Sequence, residues 1–181
     1  MTLPSPAGPV KLFLLTLHRD PEILEKAVSL VKTEFGGTDY VSEDYPFQVT
    51  NYYAREMGEG LLRRFYSFER LILPDQIVEA KLFTNQVEQK FLDDSQRRIN
   101  LDFGYLDYYK VVLASAKFGG QKVYLRNGIY ADLTLVFYKK KWESFEWSFP
   151  DFNSGMYDTV LSRIRDLYKA QVRSSSLEDG R

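Results

Sequence analysis

No cysteine occurs anywhere in this chain, and histidine occurs once, at position 18. The first absence excludes disulfide frameworks, cysteine-ligated zinc, iron–sulfur clusters and thiol nucleophiles. The second removes His-rich metal sites, so no metal is expected. There is no run of about 18 apolar residues to form a membrane helix. The opening MTLPSPAGPVK lacks the basic segment and apolar run of a secretory signal. A cytoplasmic protein is therefore expected. Signature loops are missing too: no GxxxxGKS/T phosphate loop, no GxGxxG turn, no HExxH zinc pair and no GxSxG elbow. The identity of any cofactor is left open, and any acid–base chemistry must fall to Asp, Glu, Lys or Tyr.

What is present suits a folded chain. Hydrophobic types make up 44% of the 181 residues and charged types 27%, enough apolar material for one globular domain and too much for disorder. The ends read as tails, 1–9 with three prolines and 173–181 as RSSSLEDGR, around a domain spanning 10–172. Val10 to Leu17 is apolar apart from Lys11 and Thr16, the pattern of a strand buried on both faces. Asp20, Pro21 and Glu22 form a helix start: a capping carboxylate, a residue with preset φ, and an acid at the positive end of the dipole. Leu24, Ala27, Val28, Val31 and Phe35 then recur at helical spacing up to Gly36-Gly37.

Further on, Thr38 to Phe47 reads as a strand broken at Pro46, Gln48 to Gly60 as a loop with a helical turn, and Leu61 to Phe68 as a third strand. A helix from Pro74 carries Ala80, Phe83, Val87 and Phe91 on one stripe and Lys81, Asn85 and Glu88 on another. Arg97 to Leu101 is expected as a strand followed by a polar turn, Asn100 to Tyr105. The segment Asp107 to Lys117 fits a strand or a helix equally. Asn127-Gly128 tolerates two positive φ angles and predicts a tight hairpin between Gln121–Arg126 and Ile129–Tyr138, with Leu133, Leu135 and Phe137 on one face. A strand around Trp142 to Trp147 and a helix from Asn153 or Ser154 complete the order. The expected fold is an α+β sandwich with a mostly antiparallel sheet. Its opening is a ferredoxin-like β-α-β-β-α-β unit, extended by a β-hairpin and a C-terminal helix.

Near-neutral total charge hides an asymmetry. Arg97 to Lys141 holds nine basic residues against Asp102, Asp107 and Asp132, a balance of +6 that leaves −7 for the remainder of a chain whose net charge is −1. Such a field favours a small anionic, phosphorylated or nucleotide-like ligand, or an RNA backbone as the less favoured partner. The lysine turn 139–141 reads as a solvated face. Arg97 and Arg98 point to opposite sides of a strand, so one of them can offer its planar fork to phosphate or carboxylate. The candidate ligand site combines Arg97 or Arg98 with Asn100, Asp102, Tyr105, Lys110 and Lys117, and Lys81, Asn85 and Glu88 form the opposite wall. A second candidate is the aromatic stretch Tyr45-Pro46-Phe47 with Thr50, Tyr52, Tyr53, Glu56, Met57 and Gly58, which could stack a base or plug the sandwich. His18 is expected at the surface or as a cap, and Asp151 as the cap of the last helix. The alternative function is a non-catalytic RNA-binding or protein-interaction module, and a homo-oligomer held by aromatic surfaces is a third reading.

Several strings together resemble a known family: PVKLF, DYPF with TNYYAREMG, KLFTNQVEQKF, RRINLDFGYL, VVLASAK, VYLRNGIYA and FPDF. They resemble the uncharacterised prokaryotic family called domain of unknown function forty-four sixteen, over roughly Pro9 to Val172. The resemblance implies a protein with no established activity. It falls on Lys81, Asn85, Glu88, Arg97, Arg98, Asn100, Asp102, Tyr105, Lys110 and Lys117, and leaves His18 and the lysine turn outside. A GTP-binding label attached to some relatives has no phosphate loop here to carry it. Phe103 and Gln121-Lys122 stand where relatives more often show other residues, including a histidine in place of Gln121.

Overall fold

The computed structural model describes residues 3–48, 56–94 and 96–178. Of the second candidate set, Thr50, Tyr52 and Tyr53 lie outside the described residues. In chain order the elements are β1 (Val10–His18), α1 (Pro21–Phe35), β2 (Thr38–Val41), β3 (Tyr45–Pro46), β4 (Leu62–Ile72), a 3-10 turn at Pro74–Gln76, α2 (Ile77–Gln89), β5 (Leu92–Asp93) and β6 (Gln96–Arg97). Then come β7 (Ile99–Leu106), β8 (Lys110–Ser115), β9 (Val123–Arg126), β10 (Ile129–Tyr138), β11 (Lys141–Ser144), α3 (Pro150–Asn153) and α4 (Asp158–Glu178).

The main sheet runs β11-β10-β8-β7-β1-β4-β2, with β3 paired to β4 and β9 to β10. All of these pairings are antiparallel. The stretch β7-β1-β4-β2 is the ferredoxin-like order, since β1 lies between the third and fourth strands of the unit. The hairpin strands β8 to β11 then extend the sheet outward from β7.

Helices cover both faces, which explains the unbroken apolar run of β1. Val10, Leu12 and Leu14 pack with Leu24, Ala27, Val28 and Val31 of α1 and Ile77, Ala80 and Val87 of α2. Phe13 and Leu15 point the other way and meet Tyr157, Val160, Leu161, Ile164 and Tyr168 of the C-terminal region. This period-2 division is what a strand between two apolar layers requires. At α1 the Asp20 carboxylate accepts from the Glu22 and Ile23 amides at 2.9 and 3.3 Å. Asn127 and Gly128 both take positive φ, 54° and 75°, as the two-residue turn between β9 and β10 demands.

Several sequence expectations are corrected. Asn100 to Tyr105 is not a polar turn but the body of β7; its turn lies at Asp107, whose Oδ1 accepts from the Tyr109 and Lys110 amides at 2.7 and 2.9 Å. That turn makes 110–115 a strand, resolving the ambiguous segment. The strand expected from Thr38 to Phe47 is interrupted at 42–44 rather than at Pro46, because the Ser42 amide donates to Phe65 O and the Ser42 hydroxyl accepts from the Phe65 amide. Leu133 does not share a face with Leu135 and Phe137. A bulge between Leu133 and Leu135 sends Leu133 to the α1/α2 side and the other two to the α4 side. Helix α4 runs on to Glu178, through most of the segment expected as a tail.

Two polar residues sit deeper than expected. His18 is fully buried at the end of β1, its Nε2 3.5 Å from Asp44 Oδ1; burial holds its pKa below the usual value despite Asp44. Asp151 is not a helix cap but a buried partner of Arg63, and it also accepts from the Tyr157 hydroxyl at 3.1 Å.

Candidate functional site

The ladder between β7 and β8 is short. Leu106, Tyr105 and Gly104 pair with Val111, Val112 and Leu113, and the registered pairing stops there. Gly104 suits the last rung, because a Cβ there would lie 2.6 Å from both Leu113 Cδ2 and Phe13 Cζ. Beyond it β7 continues back to Ile99 and β8 on to Ser115, each held by its other neighbour, β1 and β10. The main-chain groups of β7 that face the gap must find other partners, since an unpaired buried N–H or C=O costs about 1–3 kcal/mol. Helix α2 supplies them. Glu88 Oε1 accepts from the Leu101 amide at 2.6 Å, and Lys81 Nζ donates to Leu101 O at 3.1 Å. The polar stripe of α2 is thus no solvated face; Lys81 is 5% exposed and Glu88 7%.

Around this break lies a cavity of about 430 Å³. Lys81, Asn85 and Glu88 of α2 wall one side, Arg97, Asn100 and Asp102 another, and Leu113 to Lys117 with Lys122, Asp132 and Phe149 the remainder. Four cations and three carboxylates line it. Six of these seven fall into two sets. In the first, Lys81 Nζ donates to Asp102 Oδ1 at 2.7 Å, Asn100 Nδ2 donates to Asp102 Oδ2 at 2.6 Å, and Arg97 Nη1 donates to Asn100 Oδ1 at 2.6 Å. Arg97 Nη1 also stands 3.8 Å from Glu88 Oε2, and its Nε 3.4 Å from Glu56. In the second, Lys122 Nζ donates to Ser115 Oγ at 2.8 Å and lies 3.3 Å from Asp132 Oδ2.

The two central carboxyls are pushed apart. Burial raises Glu88 to about 7, with the Asp102 charge adding to the rise, while Lys81, the Leu101 amide and Arg97 pull against it. At Asp102 burial works upward as well, but the Lys81 charge and the hydrogen bonds from Lys81 and Asn100 together outweigh it and hold the group below its ordinary value. Asp132 is raised by burial, only partly offset by Lys122. Environments that drive neighbouring carboxyls in opposite directions leave one able to exchange protons near neutrality and the other ionised.

Seven of the ten residues singled out from sequence meet in this cavity: Lys81, Asn85, Glu88, Arg97, Asn100, Asp102 and Lys117. The other three do not. Arg98 points away, as the alternation at Arg97-Arg98 requires, and pairs with Asp20 at 3.1 Å and Asp93 at 3.7 Å. Lys110 sits at the far end of β8, paired with Asp107 across the turn. Tyr105 is buried in the α1/α2 core. Sequence reasoning passed over Ser115, Lys122, Asp132 and Phe149. Asp132 had a readable signal, a lone acid among the apolar residues of β10. Among the described residues no group of three or more His, Asp or Glu is placed to hold a metal ion, and no helix is long and apolar enough to cross a membrane.

No curated protein and no solved structure matches this chain. Residues 8–168, which include every residue lining the cavity, match the family described as Domain of unknown function (DUF4416), and the chain belongs to that family.

Proposed function

We propose that the protein binds a small anionic ligand, phosphorylated or nucleotide-like, in the cavity at the β7/β8 break. One observation carries the reading: a concave site of about 430 Å³, within the range of small-ligand pockets, is built around ionisable side chains that the fold buries at a gap in its own sheet. Burying Lys81 and Glu88 is costly, and stability alone would be better served by continuing the ladder with apolar residues. Arg97, Lys117 and Lys122 offer cationic contacts at the wall, and Leu113, Ala114, Ala116 and Phe149 offer an apolar surface for the body of the ligand. Phosphorylated metabolites being cytoplasmic solutes, the reading carries a cytoplasmic location with it.

A thermal-shift screen with nucleotides, sugar phosphates and phosphorylated acids tests the proposal. A ligand present at 100 times its Kd stabilises the folded state by about 2.7 kcal/mol, a Tm rise of roughly 5 °C or more for a chain of this size. The shift should vanish in Arg97→Ala. If no compound of these classes raises Tm at millimolar concentration, the reading is refuted.

The alternative, an RNA-contacting module, draws on a different observation. Phe118 and Tyr124 are 78% and 58% exposed and pack edge-on against Tyr130, a surface on which bases could stack. Retention of the protein on RNA that weakens steeply with salt would favour this reading over the small ligand.

A further inference from the structure

We propose that Arg97 and Glu88 form an oxyanion clamp in which Glu88 carries a proton: a carboxylate or phosphoryl oxygen of the ligand sits between them, accepting from the Arg97 guanidinium and from a hydroxyl hydrogen on Glu88 Oε2. The inference rests on the small-anion reading and specifies how that pocket takes its anion.

The two oxygens of Glu88 are unequal. Oε1 is held by the Leu101 amide at 2.6 Å. Among the described residues no hydrogen bond reaches Oε2, whose nearest cation is Arg97 Nη1 at 3.8 Å. That separation is too long for a direct hydrogen bond and leaves both groups able to turn to a third oxygen. Asp102 cannot play the same part. Its Oδ1 accepts from Lys81 and its Oδ2 from Asn100, and a proton there would remove the negative charge with which the buried Lys81 is paired. The proton therefore belongs on Glu88, and a carboxylic acid in a buried site donates a strong hydrogen bond to an anion where a carboxylate would repel it.

The surroundings support this placement. Lys81 on the same helix, Asp102 on β7 and Arg97 on β6 all face Glu88, with Glu56 beyond Arg97. With every group ionised, the four cations and three acids of the wall leave a charge of +1; protonating Glu88 makes it +2. Burial, the largest influence, already brings the group to about 7, so the proton is available at neutral pH.

The Leu101 amide, bonded to Glu88, reports on it directly. We expect its proton and nitrogen resonances in the full-length protein to titrate with a midpoint near pH 7. Sulfate is the probe, since it stays dianionic across the neutral range and any pH dependence belongs to the protein. By reciprocity of linkage, saturating sulfate should raise the midpoint by about one pH unit if protonation strengthens binding tenfold. Sulfate affinity in the wild type should then fall about fivefold between about pH 6 and pH 8. In Glu88→Gln, whose side-chain amide donates at every pH, it should stay constant.

If sulfate perturbs the amides of Ser115 and Lys117 but leaves the Leu101 midpoint unmoved, the clamp is overturned and the anion pocket survives. Retention of the full pH dependence in Glu88→Gln overturns the clamp in the same way. Should no cavity amide respond to sulfate at any pH, the pocket reading falls together with the clamp.

Discussion

Replacing Glu88 by Gln should change how stability varies with pH. In the unfolded chain Glu88 releases its proton near 4.5, and in the folded protein only near 7. Between those values the folded state holds one proton more than the unfolded state, so stability falls as pH rises. The stabilisation is fully present below 4.5 and lost by the time pH has passed through 7. The slope for one proton is about 1.4 kcal/mol per pH unit, and over this window the loss comes to about 3 kcal/mol. Glutamine retains an acceptor for the Leu101 amide and carries no charge, so the variant lacks this dependence. Other groups titrate nearby. His18, lowered by burial, costs stability as pH falls below its ordinary value of 6.5, the opposite sense. It is common to both proteins and cancels in their difference. Urea unfolding followed by tryptophan fluorescence at about pH 5, 6, 7 and 8 supplies the comparison. The variant should be ahead by about 1 kcal/mol at about pH 5 and by about 3 kcal/mol at pH 8. Parallel curves across that range would refute both the burial argument and the proton's place on Glu88.

Lys81→Met removes the cation that holds Asp102 Oδ1 and the donor to Leu101 O; breaking a buried pair from one side should cost about 3 kcal/mol in chemical denaturation. Gly104→Ala drives a methyl into Leu113, Phe13 and the Val112 carbonyl, and should lower stability by about 1–3 kcal/mol, with a reduced Tm as the readout. Arg97→Ala and Arg98→Ala should separate cleanly. The first should abolish the ligand-induced thermal shift. The second, losing only the exposed pairs with Asp20 and Asp93, should keep that shift and alter stability by less than about 1 kcal/mol.

The sequence was most readable where one physical demand acted alone. The run from Val10 to Leu17 announced a strand covered on both sides, and Asp20-Pro21 announced the start of α1, because local chemistry decides each. At Asn100 to Tyr105 two demands overlapped. Asn100, Asp102 and Gly104 look like turn residues, yet they alternate with Ile99, Leu101, Phe103 and Tyr105, and that alternation is the strand signal. The stripe Lys81, Asn85 and Glu88 was visible at helical spacing, but whether it faced water or a cavity depended on where the β7/β8 ladder ends. The last registered rung is Gly104 with Leu113, where the close approach of Phe13, distant in sequence, leaves no room for a side chain. Lys122 and Asp132 joined the site through the same nonlocal geometry. Lys110 was misplaced for the converse reason, since a basic residue at a strand's first position lies a full strand length from one at its last.

The C-terminal helix has a bearing on how the chain is made. Lys11 of β1 is buried beneath α4, where its Nζ donates to Gln171 Oε1 at 2.6 Å, and the Tyr168 hydroxyl donates to Pro9 O at 3.1 Å. The central strand is thus translated well before the helix that covers its second face. While the ribosome works through the intervening residues, Phe13, Leu15 and Phe65 have no layer above them. An apolar sheet face open for that interval invites association with other nascent chains. Synthesis rate and chaperone access should therefore bear on how much of this protein reaches the folded state in a cell.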